Sequence, residues 1–385
     1  MTLLFDSLFN GISIGTVLLM AALGLAIVFG LMGVINMAHG ELMMLGAYTT
    51  FVVQNVFRQW GDPWRDFYIF PALVAAFGVA ALVGLILERA VIRFLYGRPL
   101  ETLLATWGVS LILQQFVRSV NWVLALRLGV FGLLFFGGWW LLAKRVDWPR
   151  IKGWVLTLLL VLSTAIGTVG GRLLAQTYAL AVTQPWFGAQ NRDVTAPRWL
   201  RGGIPVGQLF LPNTRLFIIS LTLVCILGLY IFLQHTRWGL RIRAVTQNRA
   251  MSACVGIPTQ TVDALTFAIG SGLAGVAGVA VSLLGSVGPN TGQNYIVDTF
   301  MVVVVGGVGK LLGSIVAALG IGIANFLIGS GTLALIFPGV PILTDTLNFF
   351  ATTSMAKVMV FALIVVFLQF RPRGLFPEKG RTVDA

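Results

Sequence analysis

The chain has 385 residues, of which 57% are hydrophobic, 10% are charged and 45 are glycine; the mean hydropathy is +0.92. Soluble domains carry about 25% charged residues, and water cannot hold this much apolar surface, so composition excludes a soluble enzyme, a disordered chain and a secreted disulfide scaffold and leaves one polytopic membrane domain. The net charge of +13 sits in short basic clusters between apolar stretches, the pattern of cytoplasmic loops rather than of a nucleic-acid surface.

A helix needs roughly 20 apolar residues to cross the bilayer. Leu8–Leu31 reads as the first span and Glu41–Phe57 as the second, followed by the polar loop Arg58–Asp66. Phe70–Leu87 is the third, closed by Glu88, Arg89, Arg93 and Arg98. Thr102–Val117, Val123–Leu142 and Trp154–Leu174 follow, with a basic cluster at Lys144–Lys152. A long polar stretch, Thr183–Thr214, leads to Phe217–Leu233, the basic loop His235–Asp263 and an eighth span at Ala264–Leu284. The Lys/Arg bias puts the clusters at Arg89–Arg98, Lys144–Lys152, Arg237–Arg249 and Arg371–Arg381 in the cytoplasm. Parity then requires a short crossing at Val297–Val305, a turn at Lys310, a full span at Leu311–Ile328 and a return through Lys357–Phe370. The short segment is expected as a half-helix or re-entrant element buried in protein. The expected fold is therefore all-α, an inner-membrane helical bundle of about ten membrane segments with its N-terminus outside. Arg192, Arg198, Arg201 and Arg215 oppose this orientation, although a long loop can translocate regardless of charge. Cys225 and Cys254 occupy an apolar span and a basic loop, a placement that does not suit a disulfide. The apolar start lacks the basic n-region of a cleaved signal peptide.

Several polar groups interrupt the apolar pattern. Asn36 and Gly40 suit a turn and Glu41 a helix N-terminus, so residues 36–41 read as a break between two helices. Asn36, His39 and Glu41 also lie close to the membrane, where ionisable residues contribute to solute paths. His39 and Glu41 lack the companions a zinc site needs, and no metal is expected. Asn290, Gln293, Asn294 and Asp298, just before the short crossing, form either an outer loop or a vestibule for a small polar solute, since amides both donate and accept hydrogen bonds. Gly306–Lys310 fails as a phosphate loop because Val304 and Leu311 stand where glycine and Ser/Thr are needed. No motif calls for a cofactor, and no catalytic set is placed for covalent or acid–base chemistry. Gly270, Ala274 and Gly278 form a face of small residues that lets helices approach closely. Within 235–263, Ala244, Met251 and Val255 accompany the arginines at helical spacing, which predicts a short amphipathic helix docking on a cytoplasmic partner.

Asn36–Glu41, Thr236–Ile257, Gly270–Gly278 and Val305–Gly309 together resemble the permeases of branched-chain amino acid type ABC importers. Glu101–Leu111, Phe187–Asn191, Arg243–Arg249 and Gly292–Asp298 are similar to the urea branch of that group. The resemblance covers most of the chain; Asn121–Trp186 departs from it as an inserted pair of membrane helices. It implies a single permease domain over residues 1–385, paired with a second, related permease as a heterodimer. Two cytoplasmic ATPase subunits and an extracytoplasmic solute-binding protein complete the implied machine. Residues 235–263 would be the coupling loop, with Arg237, Gly239, Arg241, Arg243, Asn248, Arg249 and Gly256 beside the ATPase. The resemblance thus implies urea uptake, with branched-chain amino acids or other short amides as the alternative solutes. From other classes, a gradient-driven carrier or passive channel would leave the basic loop unexplained, and an intramembrane enzyme would have to rest on His39 and Glu41.

Overall fold

The computed structural model describes residues 2–62, 64–142, 148–206, 209–332, 349 and 351–376. Residues 144–147 of the Lys144–Lys152 cluster, and Lys379 and Arg381, lie outside the described residues. The helices are α1 (Thr2–Met32), α2 (His39–Gln59), α3 (Ile69–Ala90), α4 (Pro99–Ser119), α5 (Trp122–Leu142), α6 (Trp148–Thr183) and α7 (Asn213–His235). They continue as α8 (Arg237–Gln247), α9 (Arg249–Cys254), α10 (Thr259–Ser282), α11 (Thr291–Gly306), α12 (Leu311–Gly329) and α13 (Thr353–Phe370). Eight of them are long and apolar enough to cross a membrane: α1, α3, α4, α5, α6, α7, α10 and α12. Among the described residues one strand pair breaks the helical pattern, β1 (Gly203–Val206) against β2 (Leu209–Pro212), antiparallel with Gly203 opposite Pro212.

The chain forms two compact units, residues 1–111 with 191–385, and residues 112–190. In the smaller unit α5 packs on α6. Asn121 ties its base: its Oδ1 accepts from the Leu124 amide at 2.7 Å and its Nδ2 donates to the Thr183 carbonyl at 3.0 Å. Trp122 and Trp186 meet edge to face at 4.9 Å beside it. Leu133, Phe136, Trp154 and Leu158 are exposed, as expected of side chains that contact lipid.

The larger unit is centred on α1 and α10. α10 packs on α1, α2 and α3, and α1 on α10, α11 and α12. Small residues permit the approach. A β-carbon at Gly270 would meet Gly24 and Val28 of α1, one at Gly278 the backbone of Met43 and Ala47 on α2, and one at Gly272 or Gly275 would strike Phe77 or Ala76 on α3. Gly270, Ala274 and Gly278 are all buried, but α10 is used on more faces than that one. Leu18, Leu23, Val302, Val303, Ala318 and Val360 join α1, α11, α12 and α13 in one apolar core.

At one end of the larger unit the 191–201 segment is stapled to the α2–α3 loop. Gln54 and Tyr68 donate to the Thr195 carbonyl at 2.7 and 2.9 Å, and Arg198 pairs with Asp62 at 2.6 Å and Asp66 at 3.7 Å. Those two carboxylates raise the affinity of the Arg198 guanidinium for its proton. Arg192 pairs its backbone with Val287 in the α10–α11 turn. At the other end, the Leu375 amide donates to the Val305 carbonyl at 2.8 Å, joining the turn after α11 to the segment after α13. Gly307 and Gly309 adopt left-handed φ values of 97° and 89° there.

Candidate functional site: solute path and coupling surface

The break after α1 turns back into the bundle. The amide of Ala38 donates to Asn36 Oδ1 at 3.1 Å, closing an Asx turn. His39 then opens α2, with Nε2 donating to the Ala21 carbonyl at 3.0 Å. Ala21 lies 11 residues before the end of α1, or about 16 Å at 1.5 Å per residue, so α2 begins deep between its neighbours. His39 is fully buried, and its Nδ1, like Asn36 Nδ2, has no hydrogen-bond partner among the described residues.

The start of α11 reaches the same depth. A β-carbon at Gly40 would overlap the Gly292 carbonyl, and one at Gly292 would meet Gly40 and the Glu41 carboxyl. Two helix N-termini therefore converge here, each carrying the positive end of a helix dipole. Glu41, buried in the first turn of α2, places its carboxyl between them and accepts from Ser110 Oγ at 3.1 Å. Helix α4 supplies that hydroxyl from a buried row, Thr102, Thr106 and Ser110. Thr106 Oγ1 accepts from the Met37 amide at 3.1 Å and lies 3.3 Å from the Ile35 carbonyl. Asn36, Ala38, Thr106 and Val109 close around this segment and leave no space for a water molecule between them. Sequence reasoning missed the hydroxyl row, although its repeat of four within an apolar span was a visible signal.

The expected short crossing at Val297–Val305 is longer than anticipated. Helix α11 starts at Thr291, so Gln293, Asn294 and Asp298 are helical rather than part of an outer loop, and Asn290 is its N-cap. The reason is a division of faces. Gly292, Ile296 and Thr299 are buried, whereas Asn290, Gln293, Asn294 and Val297 are exposed on a contiguous stripe. Asp298 is buried and pairs with Lys357 of α13 at 3.0 Å. Thus Asn36, His39, Glu41 and Gly292 come together at the converging N-termini, and Asn290, Gln293 and Asn294 form an exposed amide face on the same helix.

The basic loop folds into α8 and α9. Thr236 caps α8 by accepting from the Gly239 amide at 3.0 Å, and Asn248 caps α9 by accepting from the Met251 amide at 2.9 Å. Gly239 has no β-carbon because α8 abuts the Phe232 and Leu233 carbonyls at the end of α7. Gly256, with φ 84°, ends α9: its amide donates to Ala253 and that of Ile257 to Ser252, a Schellman motif. Ile242 and Val245 face inward onto Val262, while Leu240, Met251 and Val255 are exposed. Arg237 is exposed, Arg241 stacks 4.8 Å over Trp238, and Arg243 donates to Gln234 at 2.9 Å. Arg249 instead turns onto Asp263, at 2.6 Å.

Comparison with known proteins agrees with this architecture. The family described as branched-chain amino acid transport system / permease component matches residues 7–368. The chain is 24% identical to LivH of Escherichia coli (strain K12), a high-affinity branched-chain amino acid transport system permease protein, over 372 residues, 96% of this chain and 94% of LivH. It is 23% identical over 377 residues to BraD of Pseudomonas aeruginosa, a permease of the same description, covering 96% and 94%. The ribose import permease RbsC of Escherichia coli (strain K12) is 26% identical over 188 residues, 46% of this chain and 52% of RbsC. No solved structure matches. The chain is thus a transport component of the inner membrane rather than an enzyme, and it belongs to the family of branched-chain amino acid transport system permease components.

Proposed function

We propose that this chain is one permease subunit of an ATP-driven importer for urea, forming the translocation path with a second, related permease. The carrying observation is the exposed stripe of Asn290, Gln293 and Asn294 on α11, a helix otherwise packed within the larger unit. Primary amides match a neutral solute that itself both donates and accepts hydrogen bonds. The carboxylate on that helix, Asp298, is neutralised by Lys357, so the stripe offers no free charge of its own. The second permease would face the stripe, a solute-binding protein would deliver from the 191–212 side, and two ATPases would engage α8 and α9. Hydrolysis would rock the halves between outward- and inward-open states.

The names of LivH and BraD, which cover nearly the whole chain, favour a second reading, branched-chain amino acids. Uptake of labelled urea at low concentration, with and without the gene and with excess unlabelled leucine, separates the two. Loss of leucine-insensitive urea uptake on deletion is the expected result. Uptake that survives deletion, or that leucine competes away, overturns urea in favour of amino acids.

A further inference from the structure

The contact between Arg249 and Asp263 is one part of a larger cluster. Arg249 opens α9, is 45% exposed along its side chain and reaches Asp263 Oδ2 at 2.6 Å; Asp263, in the second turn of α10, is only 6% exposed. The same guanidinium lies 4.5 Å over the ring of Tyr96, in the turn between α3 and α4. Tyr96 Oη in turn donates to Glu88 Oε1 at 3.1 Å, and Glu88, near the end of α3, is 2% exposed. Burial, with the carboxylates of Asp263 and Glu88 alongside, drives the Tyr96 hydroxyl upward in pKa and keeps it a donor. Two buried carboxylates from two membrane helices are therefore tied, directly or through one phenol, to a single arginine from the cytoplasmic element.

The cluster differs from the other attachment of that element. Ile242 and Val245 rest on Val262 through apolar contact, which is non-directional and tolerates sliding. The ion pair and the ring stack are directional, and separating a buried carboxylate from its partner is costly. α10 is the helix that packs on α1, α2 and α3. A displacement of α9 that keeps the pair intact must therefore move the cytoplasmic end of α10 with it.

We propose that Arg249, Asp263, Tyr96 and Glu88 form the rigid link through which movement of α8 and α9 reaches α10 and α3, so that these four are positioning residues for ATP-coupled transport. The inference rests on the reading of the chain as an ATPase-coupled permease and is independent of which solute is carried.

The test is the ATP hydrolysed per solute imported, measured on the complete importer in proteoliposomes. Asp263→Asn is expected to raise that ratio at least tenfold in complexes that retain their ATPases, because hydrolysis no longer moves the path. A role confined to docking would lower hydrolysis and uptake together and leave the ratio unchanged. Arg249→Lys, which keeps the charge and loses the planar stack on Tyr96, is expected to fall between Asp263→Asn and the unaltered chain. Should Asp263→Asn fail to assemble, Arg249→Gln at the half-exposed end carries the test alone. An unaltered ratio in an assembled Asp263→Asn or Arg249→Gln importer overturns the link. Absence of ATP-dependent uptake of any solute by the unaltered importer would instead overturn the functional reading beneath it.

Discussion

Gly278 stands where the Met43 carbonyl and the Ala47 amide of α2 leave no room for a β-carbon. Glycine inside a helix costs about 1 kcal/mol relative to alanine, so its presence in α10 needs a compensating contact, and that backbone approach is the compensation. Gly228 in α7 has open space on the same criterion. Gly278→Ala is therefore expected to destabilise by about 1–3 kcal/mol through overpacking, despite the better helix propensity of alanine. Gly228→Ala is expected to be neutral or slightly stabilising. Thermal unfolding of the purified protein in detergent compares them, and equal stability of the two variants would remove the close-approach argument. The spacing of Gly270, Ala274 and Gly278 made one small-residue face legible in the sequence. Gly272 and Gly275 were not legible in the same way, because a helix buried on several sides has no single periodic face. His39 was legible as an ionisable residue near the membrane, but its bond to the Ala21 carbonyl depends on how far the 33–38 segment turns back, which local sequence does not encode.

At the scale of elements, α8 and α9 show how a basic loop folds into two short helices with an exposed face, the face proposed to meet the ATPases. Their caps, Thr236 and Asn248, and the terminating Gly256 are side-chain and backbone signals that can be read residue by residue. With Ile242 and Val245 turned inward, Leu240, Met251 and Val255 remain exposed beside the arginines. Reversing Arg241 and Arg243 to Glu is expected to stop ATP-driven uptake and weaken capture of the ATPases in pull-downs. Neither residue holds the ion pair to α10, so the bundle itself should persist, and normal uptake in this variant would refute docking at α8. Helix α11 was harder to read. Its N-terminal residues are polar enough to suggest a loop, and the burial of one side of them, where Gly292 meets Gly40 across the bundle, is not visible in the local sequence. Likewise the hydroxyls of Thr102, Thr106 and Ser110 gain meaning from the Met37 amide and Glu41, which are distant in sequence.

At the scale of the whole molecule, the polar contacts of the larger unit fall into two groups. The larger unit gathers the 58–68 loop, the 191–201 segment and the α10–α11 turn at one end through Thr195, Arg198 and Arg192. It gathers Tyr96, α9, the start of α10 and, separately, the 307–310 turn with residues 371–376 at positions expected on the opposite side. Two of the arginines that oppose an external 191–201 segment, Arg198 and Arg201, have local side-chain partners. Arg198 is matched by Asp62 and Asp66, and Arg201 Nε donates to the Ala196 carbonyl at 2.9 Å. The two carboxylates offset the Arg198 charge locally, so that residue does not weigh against translocation, whereas a bond to a neutral carbonyl leaves the Arg201 charge in place. Sidedness can be read with an impermeant thiol reagent. Arg201→Cys, made with Cys254→Ser, is expected to react in spheroplasts with the reagent outside, and to be protected in inside-out vesicles. The native Cys254 is exposed at the end of α9 and is expected to show the reverse in the unaltered chain. Cys225 is part-buried in α7 and should contribute little from either side. Labelling of the cysteine at 201 only in inside-out vesicles would invert the bundle, move α8 and α9 out of the cytoplasm and remove the ATPases from the surface to which the coupling argument assigns them.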